Sequence, residues 1–209
     1  MTPLRVIKVG GSLFDFPHLH EAIHVWLQHH PAMTTLLIAG GGQLAEEIRR
    51  IDTQSQLGEQ QAHWLCIDAL GITAKILAHT LGLRAPISLA DVAALTINEA
   101  TVPSVHVLDV KTFLKRQEAD LPGEALPHNW DVTSDSIAAR VADVLNADEL
   151  VLFKSAGRPE SSLKQATTSL LVDPHFEVAV AGLQQIRIIN LRDTFSTAQK
   201  NRPVKFTGR

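Results

Sequence analysis

The sequence predicts an α/β protein on a mainly parallel sheet, and three segments carry that prediction. Leu4 to Lys8 and Thr34 to Ala39 are short apolar runs of strand length, and each leads into a glycine turn, Gly10-Gly11 and Gly40-Gly41-Gly42. Between them, Pro17 to His30 has helical length with apolar residues at Leu19, Ile23, Val25, Trp26 and Leu27. Strand, helix and strand make a βαβ unit with a right-handed crossover. Such a unit brings both glycine turns to the carboxyl edge of one sheet, where ligands of open α/β sheets bind.

Lys8 is the most informative residue. In Lys8-Val9-Gly10-Gly11-Ser12 an ammonium stands beside backbone N–H groups and two residues without Cβ, an arrangement suited to phosphate. It is not a Walker A loop, because the lysine precedes both glycines. The second cluster, Gly40-x-Gly42-x-x-Ala45, also fits a dinucleotide fingerprint. That fingerprint needs a strand ending on an acidic residue about twenty positions later. Thr53 to Gly58 supplies neither strand nor carboxylate, so phosphate transfer is the better reading.

Gln43 to Ile51 continues as a helix. Gly58 to Leu81 reads as a longer one, apolar at Trp64, Leu65, Ile67, Leu70, Ile72, Ile76, Leu77 and Leu81 and closed by Gly82. Its polar members His63 and Asp68 are candidate substrate contacts, with solvated helix positions as the competing reading. Pro86 to Leu95 reads as a short helix, Val105 to Leu108 as a strand, Val110 to Lys115 as a brief helix and Ala119 to Pro127 as a loop. Trp130-Asp131-Val132-Thr133-Ser134-Asp135-Ser136 then opens a helix through Leu145. Capping alone explains Thr133 or Ser134 and favours Asp135 in the first turn. It does not require two carboxylates, Asp131 and Asp135, with a tryptophan outside the cap. Glu149 to Ser155 repeats the opening device, an apolar strand ending on Lys154. Paired strand-end lysines suit phosphoryl transfer, where catalysis comes from positioning and from cations that follow the charge on the equatorial oxygens. A carboxylate beside them would fix both ammonium groups.

Composition agrees with a compact enzyme. The chain has 209 residues, 45% hydrophobic and 20% charged, with a net charge of −3, enough to bury a sheet on both faces within one domain. The lone Cys66, in an apolar helical pattern, forms no internal disulfide and suits a reducing cytoplasm. No run of eighteen apolar residues is present, and Met1 to Leu4 opens a strand without a charged leader, so neither membrane insertion nor secretion is expected. Scattered lysines form no basic stripe for nucleic acid. Glu21 with His24, and His20 with His24, have metal-ligand spacing but lack the second copy that a dimetal site needs, so no protein-held metal is expected.

Taken in order, Lys8 to Ser12, Ala39 to Gly42 and Asp131 to Ala138 resemble the motifs of the amino acid kinase superfamily, which includes acetylglutamate, aspartate, uridylate and isopentenyl phosphate kinases. The resemblance runs from Leu4 to about Asn190. It implies a three-layer αβα sandwich over residues 1–209, with an acceptor-binding half at about 1–125 and a nucleotide-binding half at about 126–209. The Trp130 to Ser136 segment looks most like an archaeal-type branch found also in methylotrophic bacteria and planctomycetes. Its characterised member phosphorylates (5-(aminomethyl)furan-3-yl)methyl phosphate in methanofuran synthesis.

The resemblance implies a kinase using ATP and Mg²⁺, the ion bridging β- and γ-phosphates mostly through water and nucleotide oxygens. Lys8 would stabilise the transferred group and Asp135 would orient the lysines. Gly10, Gly11 and Ser12 would bind phosphate, and Lys154 and Ser155 would contact the ATP phosphates. Gly41 and Gly42 would hold the acceptor, a small phosphate or carboxylate, with His63, Asp68, Trp130, Asp131 and Thr133 around it. A homodimer or larger ring through the N-terminal helices is also implied. Many relatives carry Thr-Gly-Gly-Met-x-x-Lys after the last catalytic strand, whereas this chain has Ser162 to Thr168 without glycines. Lys164 is the candidate replacement for the missing lysine, and Val204 to Phe206 the candidate finishing strand. Other acceptors (uridylate, isopentenyl phosphate, an amino acid) and a non-catalytic nucleotide or oxyanion-binding role stand as alternatives.

Overall fold

The structure, a computed structural model, describes residues 3–97, 102–157 and 171–200. Among them, five parallel strands form one sheet: β1 (Leu4–Val9), β2 (Thr34–Ala39), β3 (Val105–Val107), β4 (Glu149–Lys154) and β5 (Ile186–Asn190). Their order is β3-β2-β1-β4-β5. The chain steps outward from β1 to β3, then returns to lay β4 against the free side of β1 with Val9 opposite Phe153. The junction of β1 and β4 is therefore the switch point of the sheet, where an open α/β fold leaves a crevice.

Strands β1 and β2 are buried throughout, which explains their mostly apolar sequence, and the buried Arg5 in β1 is paired with Glu149. On one face Val6, Ile38 and Leu152 pack with Phe113 of α5 (Val110–Arg116) and Ile137 and Val141 of α6 (Ser134–Val144). On the other, Ile7, Leu37 and Phe153 pack with Ile23 and Trp26 of α1 (Leu19–Gln28) and Phe195 of α8 (Leu191–Lys200). The helix α3 (Glu59–Thr80) gives Ile67 and Leu70 to the first cluster and Ala74 and Leu77 to the second. These layers make the expected three-layer αβα sandwich. Alternation along the strands puts Lys8 on the face of Leu4 and Val6, and Lys154 on the face of Leu150 and Leu152. Both lysines thus face α6.

Several boundaries differ from those expected. A short 3-10 turn, Gly11–Asp15, precedes α1, and α2 (Gly42–Ser55) begins on its glycine and runs past Ile51. The helix α4 (Leu89–Ile97) starts later than Pro86, because Ile87 is drawn into a parallel bridge with Leu108. After β4 come a short α7 (Phe176–Ala179), β5 and α8, none of which carries a sequence signal as plain as those upstream. Val204 to Phe206 lies outside the described residues. Among those described, no helix is long and apolar enough to cross a membrane.

Candidate active site

Pairing of β1 with β2 brings the two glycine turns into contact. A Cβ on Gly11 would lie 2.1 Å from the Gly42 nitrogen, and one on Gly40 would lie 2.5 Å from the Gly11 nitrogen. Gly42 itself has φ of +57°, a region that favours glycine. Backbone packing between the turns is therefore sufficient reason for these glycines, beyond the phosphate approach read from sequence. Gly10 also needs correction as a phosphate donor: its N–H is spent on the Phe153 carbonyl at 2.8 Å, so it joins β1 to β4 instead. Gly11 and Ser12 open the 3-10 turn, and Gly41 and Gly42 sit at the N-terminus of α2, where backbone N–H groups lack intrahelical partners.

At the switch point, Asp135 stands between the two lysines. Its Oδ2 accepts a hydrogen bond from Lys154 Nζ at 2.7 Å, and its Oδ1 lies 2.9 Å from Lys8 Nζ. The Lys8 contact is an ion pair off the line of a hydrogen bond, so Oδ1 lacks a well-directed donor. The side chains of Lys8, Asp135 and Lys154 are 7%, 5% and 13% exposed, which removes most solvent screening. Burial opposes ionisation of Asp135, but the ammonium charges of Lys8 and Lys154 outweigh it and hold the carboxyl below its ordinary range. Burial and the charge of Lys8 push the Lys154 ammonium down to about 8, against the pull of Asp135. Ser12 and Ser155 share a 2.7 Å hydrogen bond between their hydroxyls, tying the ends of β1 and β4 together above the lysines' strands.

The helix carrying Asp135 is capped by other groups. Thr133 is the N-cap, extended at φ −121° and ψ −170°, and its Oγ1 accepts from the Asp135 N–H. Asp173, from beyond β4, accepts the Thr133 N–H at 2.9 Å, the Thr133 hydroxyl at 2.7 Å and the Ser136 N–H at 3.1 Å. It accepts the Ser136 hydroxyl as well. Sequence reasoning missed Asp173, since an Asp-Pro pair signals only a turn and its partners lie 37 and 40 residues upstream.

From Lys8 a cleft of about 1020 Å³ opens across both glycine turns. His63, Trp130 and Thr133 line it, joined by Phe14, Phe16 and Arg49, which the sequence did not single out, and by Leu70, read from sequence only as an apolar helix position. His63 is buried, with Nδ1 3.1 Å from the Asn129 carbonyl. Burial pushes its imidazole below the ordinary value, opposed by that hydrogen bond. Trp130 donates its indole N–H to Asp52 at 3.0 Å, and the Arg49 guanidinium lies 4.7 Å from its ring. Cys66 is half-buried beside the cleft, and burial pushes its thiol up to about 11, so it stays a neutral thiol.

Asp68 and Asp131 do not join the site. His63, Ile67 and Leu70 mark the cleft face of α3 at helical spacing. Asp68, five positions after His63, is turned well away from it. It pairs at the surface with Lys115 at 2.7 Å and Lys111 at 3.1 Å. Asp131 is exposed, and its backbone holds the loop by accepting the His175 N–H at 3.2 Å. Lys164 lies outside the described residues. Among those described, no group of three or more His, Cys, Asp and Glu is arranged to hold a metal ion.

Comparison with known proteins bears on the family and the fold. A family model described as the amino acid kinase family matches residues 3–157. The [5-(aminomethyl)furan-3-yl]methyl phosphate kinase of Methanocaldococcus jannaschii is 23% identical over 150 residues, covering 71% of this chain and 64% of that protein. The chain thus spans slightly under two thirds of that relative's length. Uridylate kinase from Archaeoglobus fulgidus superposes with a TM-score of 0.58 at 15% identity, over 95% of this chain and 96% of that one. UMP kinase from Ureaplasma parvum gives 0.60 at 15% identity, over 94% and 96%. Aspartate kinase from Synechocystis gives 0.56 at 13% identity, over 88% of this chain and 37% of the larger enzyme.

Proposed function

The chain belongs to the amino acid kinase family, and from that premise we propose that it transfers the γ-phosphoryl group of ATP to a small phosphorylated metabolite. The favoured acceptor is (5-(aminomethyl)furan-3-yl)methyl phosphate. The observation that carries the reading is Asp135 held between Lys8 and Lys154 at the switch point, beside a cleft that Lys8 lines.

Two ammonium groups around one carboxylate leave a net positive charge where a phosphoryl group needs it. An oxygen of the acceptor phosphate attacks the γ-phosphorus while the bond to the bridging oxygen of ADP breaks, and ADP leaves with that electron pair. The acceptor is already an anion, so no general base is required. Lys8, from the acceptor side, and Lys154, from the nucleotide side, follow the charge on the equatorial oxygens. Asp135 keeps them in place without entering the chemistry. With both its oxygens turned to lysines, Asp135 is poorly placed to ligate a cation, which fits Mg²⁺ arriving on the nucleotide phosphates. When bound there, Mg²⁺ supplies further neutralisation of the β- and γ-phosphates.

The lining of the cleft supports an acceptor with an apolar body over an amino acid. Phe14, Phe16, Leu70 and Trp130 suit a flat ring, and Asp15 and Glu46, paired with Arg192 and Arg49, are carboxylates that an aminomethyl group would meet by exchange with those arginines. The similarity to the archaeal furan phosphate kinase points the same way. Intact lysines at both strand ends favour catalysis over mere oxyanion binding. Ile72 and Ile76, one turn apart and exposed on α3, support self-association through the N-terminal half.

The test is ADP release from ATP and Mg²⁺ against a panel of the furan phosphate, uridylate, isopentenyl phosphate and acidic amino acids. Activity confined to uridylate or isopentenyl phosphate would move the acceptor but keep the class. The pH profile gives an independent check. Lys154 carries its charge below about 8 and loses it above. Accordingly kcat/KM should fall as pH rises through that value, and a profile flat to pH 10 would remove Lys154 from the reaction.

A further inference from the structure

We propose that Asp173 is a positioning residue of the catalytic centre: by taking over the N-terminal cap of α6, it leaves the Asp135 carboxylate free to hold Lys8 and Lys154. A helix N-terminus attracts whatever carboxylate lies nearest, because its first N–H groups are unpaired and the helix dipole favours negative charge. Asp135, in the first turn, is the local candidate. Turned back on the helix it would satisfy those N–H groups and abandon the lysines.

The arrangement around Asp173 prevents this. Asp173 is 6% exposed, and its carboxylate occupies the Ser136 N–H and hydroxyl together with the Thr133 N–H and hydroxyl. The positions to which Asp135 would retreat are therefore filled. Asp173 is itself held by its backbone, since its carbonyl accepts the Phe176 N–H at 3.2 Å and Phe176 is fully buried against the α6 face of the sheet. A division of labour results: one aspartate caps the helix and the other organises the cations. The capping half comes from the segment after β4, so the C-terminal part of the chain sets the geometry at the β1–β4 junction.

The meaning of the positioning rests on the kinase reading, but its test needs no substrate. The Lys154 Cε resonance is titrated by carbon-13 NMR in lysine-labelled protein, assigned with Lys154→Arg, in wild type, Asp173→Ala and Ser136→Ala. Lys8 on β1 and Asp135 on α6 are the charged groups that govern this titration. When Asp135 is drawn toward the vacated cap, Lys154 loses its counter-charge, and its midpoint should fall by about 1 unit in Asp173→Ala, which leaves no acceptor at the cap. Ser136→Ala, which keeps the Asp173 carboxylate and removes one donor, should shift it in the same direction by less, and carries the test if Asp173→Ala does not fold. An unchanged Lys154 midpoint in a folded variant with a lowered melting temperature would overturn the proposal and leave Asp173 a cap only. Absence of transfer activity in the wild-type protein would remove the kinase reading and leave this result standing.

Discussion

Asp135→Asn is expected to lower turnover by about 10²- to 10³-fold, the range for losing a preorganised electrostatic group, while α6 remains folded. A neutral amide cannot hold two ammonium groups in place. Lys8 and Lys154 then repel one another, and Lys154, already near 8 with Asp135 present, sheds its proton at neutral pH. Removing one partner from a buried ion cluster normally costs about 3–5 kcal/mol. Here the penalty is limited, because each pH unit between pH 7 and the Lys154 midpoint costs only about 1.4 kcal/mol for discharge. The cap is not at stake, since Thr133 and Asp173 supply it. The check is kcat by ADP release alongside thermal unfolding. Turnover within a few-fold of wild type would contradict the role given to Asp135.

Lys8→Ala is expected to lower turnover at least as far, by about 10³-fold, because Lys8 is the one lysine that lines the cleft among the described residues. Its effect on stability differs in origin from that expected for an exposed strand end. Lys8 is 6% exposed, yet its removal leaves Asp135 paired one-to-one with Lys154. The Lys154 ammonium also loses the repulsion that helps lower it. The residual activity should therefore keep its alkaline limb to a higher pH than the wild-type enzyme. An unchanged limb with unchanged turnover would show that Lys8 serves only to pair with Asp135.

The two lysines that flank Asp135 were legible because each stands at or beside the end of a buried parallel strand. Strands β1, β2 and β4 are covered on both faces and so read as apolar runs, and a lysine terminating such a run stands out. Asp135 was legible as one carboxylate too many for a cap. The edge strand β5 was harder, because it is only partly buried and carries Arg187 and Asn190 within a short run. Periodicity showed that His63 and Asp68 sit on α3 but not which of them faces the cleft, a matter decided by packing of Ile67 and Leu70. Asp173 left no trace in any local pattern, since its meaning lies in contacts across the fold. The glycines were visible, but their packing against one another was not. A contact between turns from different strands becomes apparent only once β1 and β2 are paired.

Phosphorus NMR of the purified protein incubated with ATP, Mg²⁺ and the furan phosphate tests the central claim most directly. The account expects paired diphosphate resonances of the product to grow in step with ADP, and to grow about 10³-fold more slowly in Lys8→Ala. Unchanged ATP with every acceptor of the panel, or release of orthophosphate alone, would contradict phosphoryl transfer by the Lys8–Asp135–Lys154 centre.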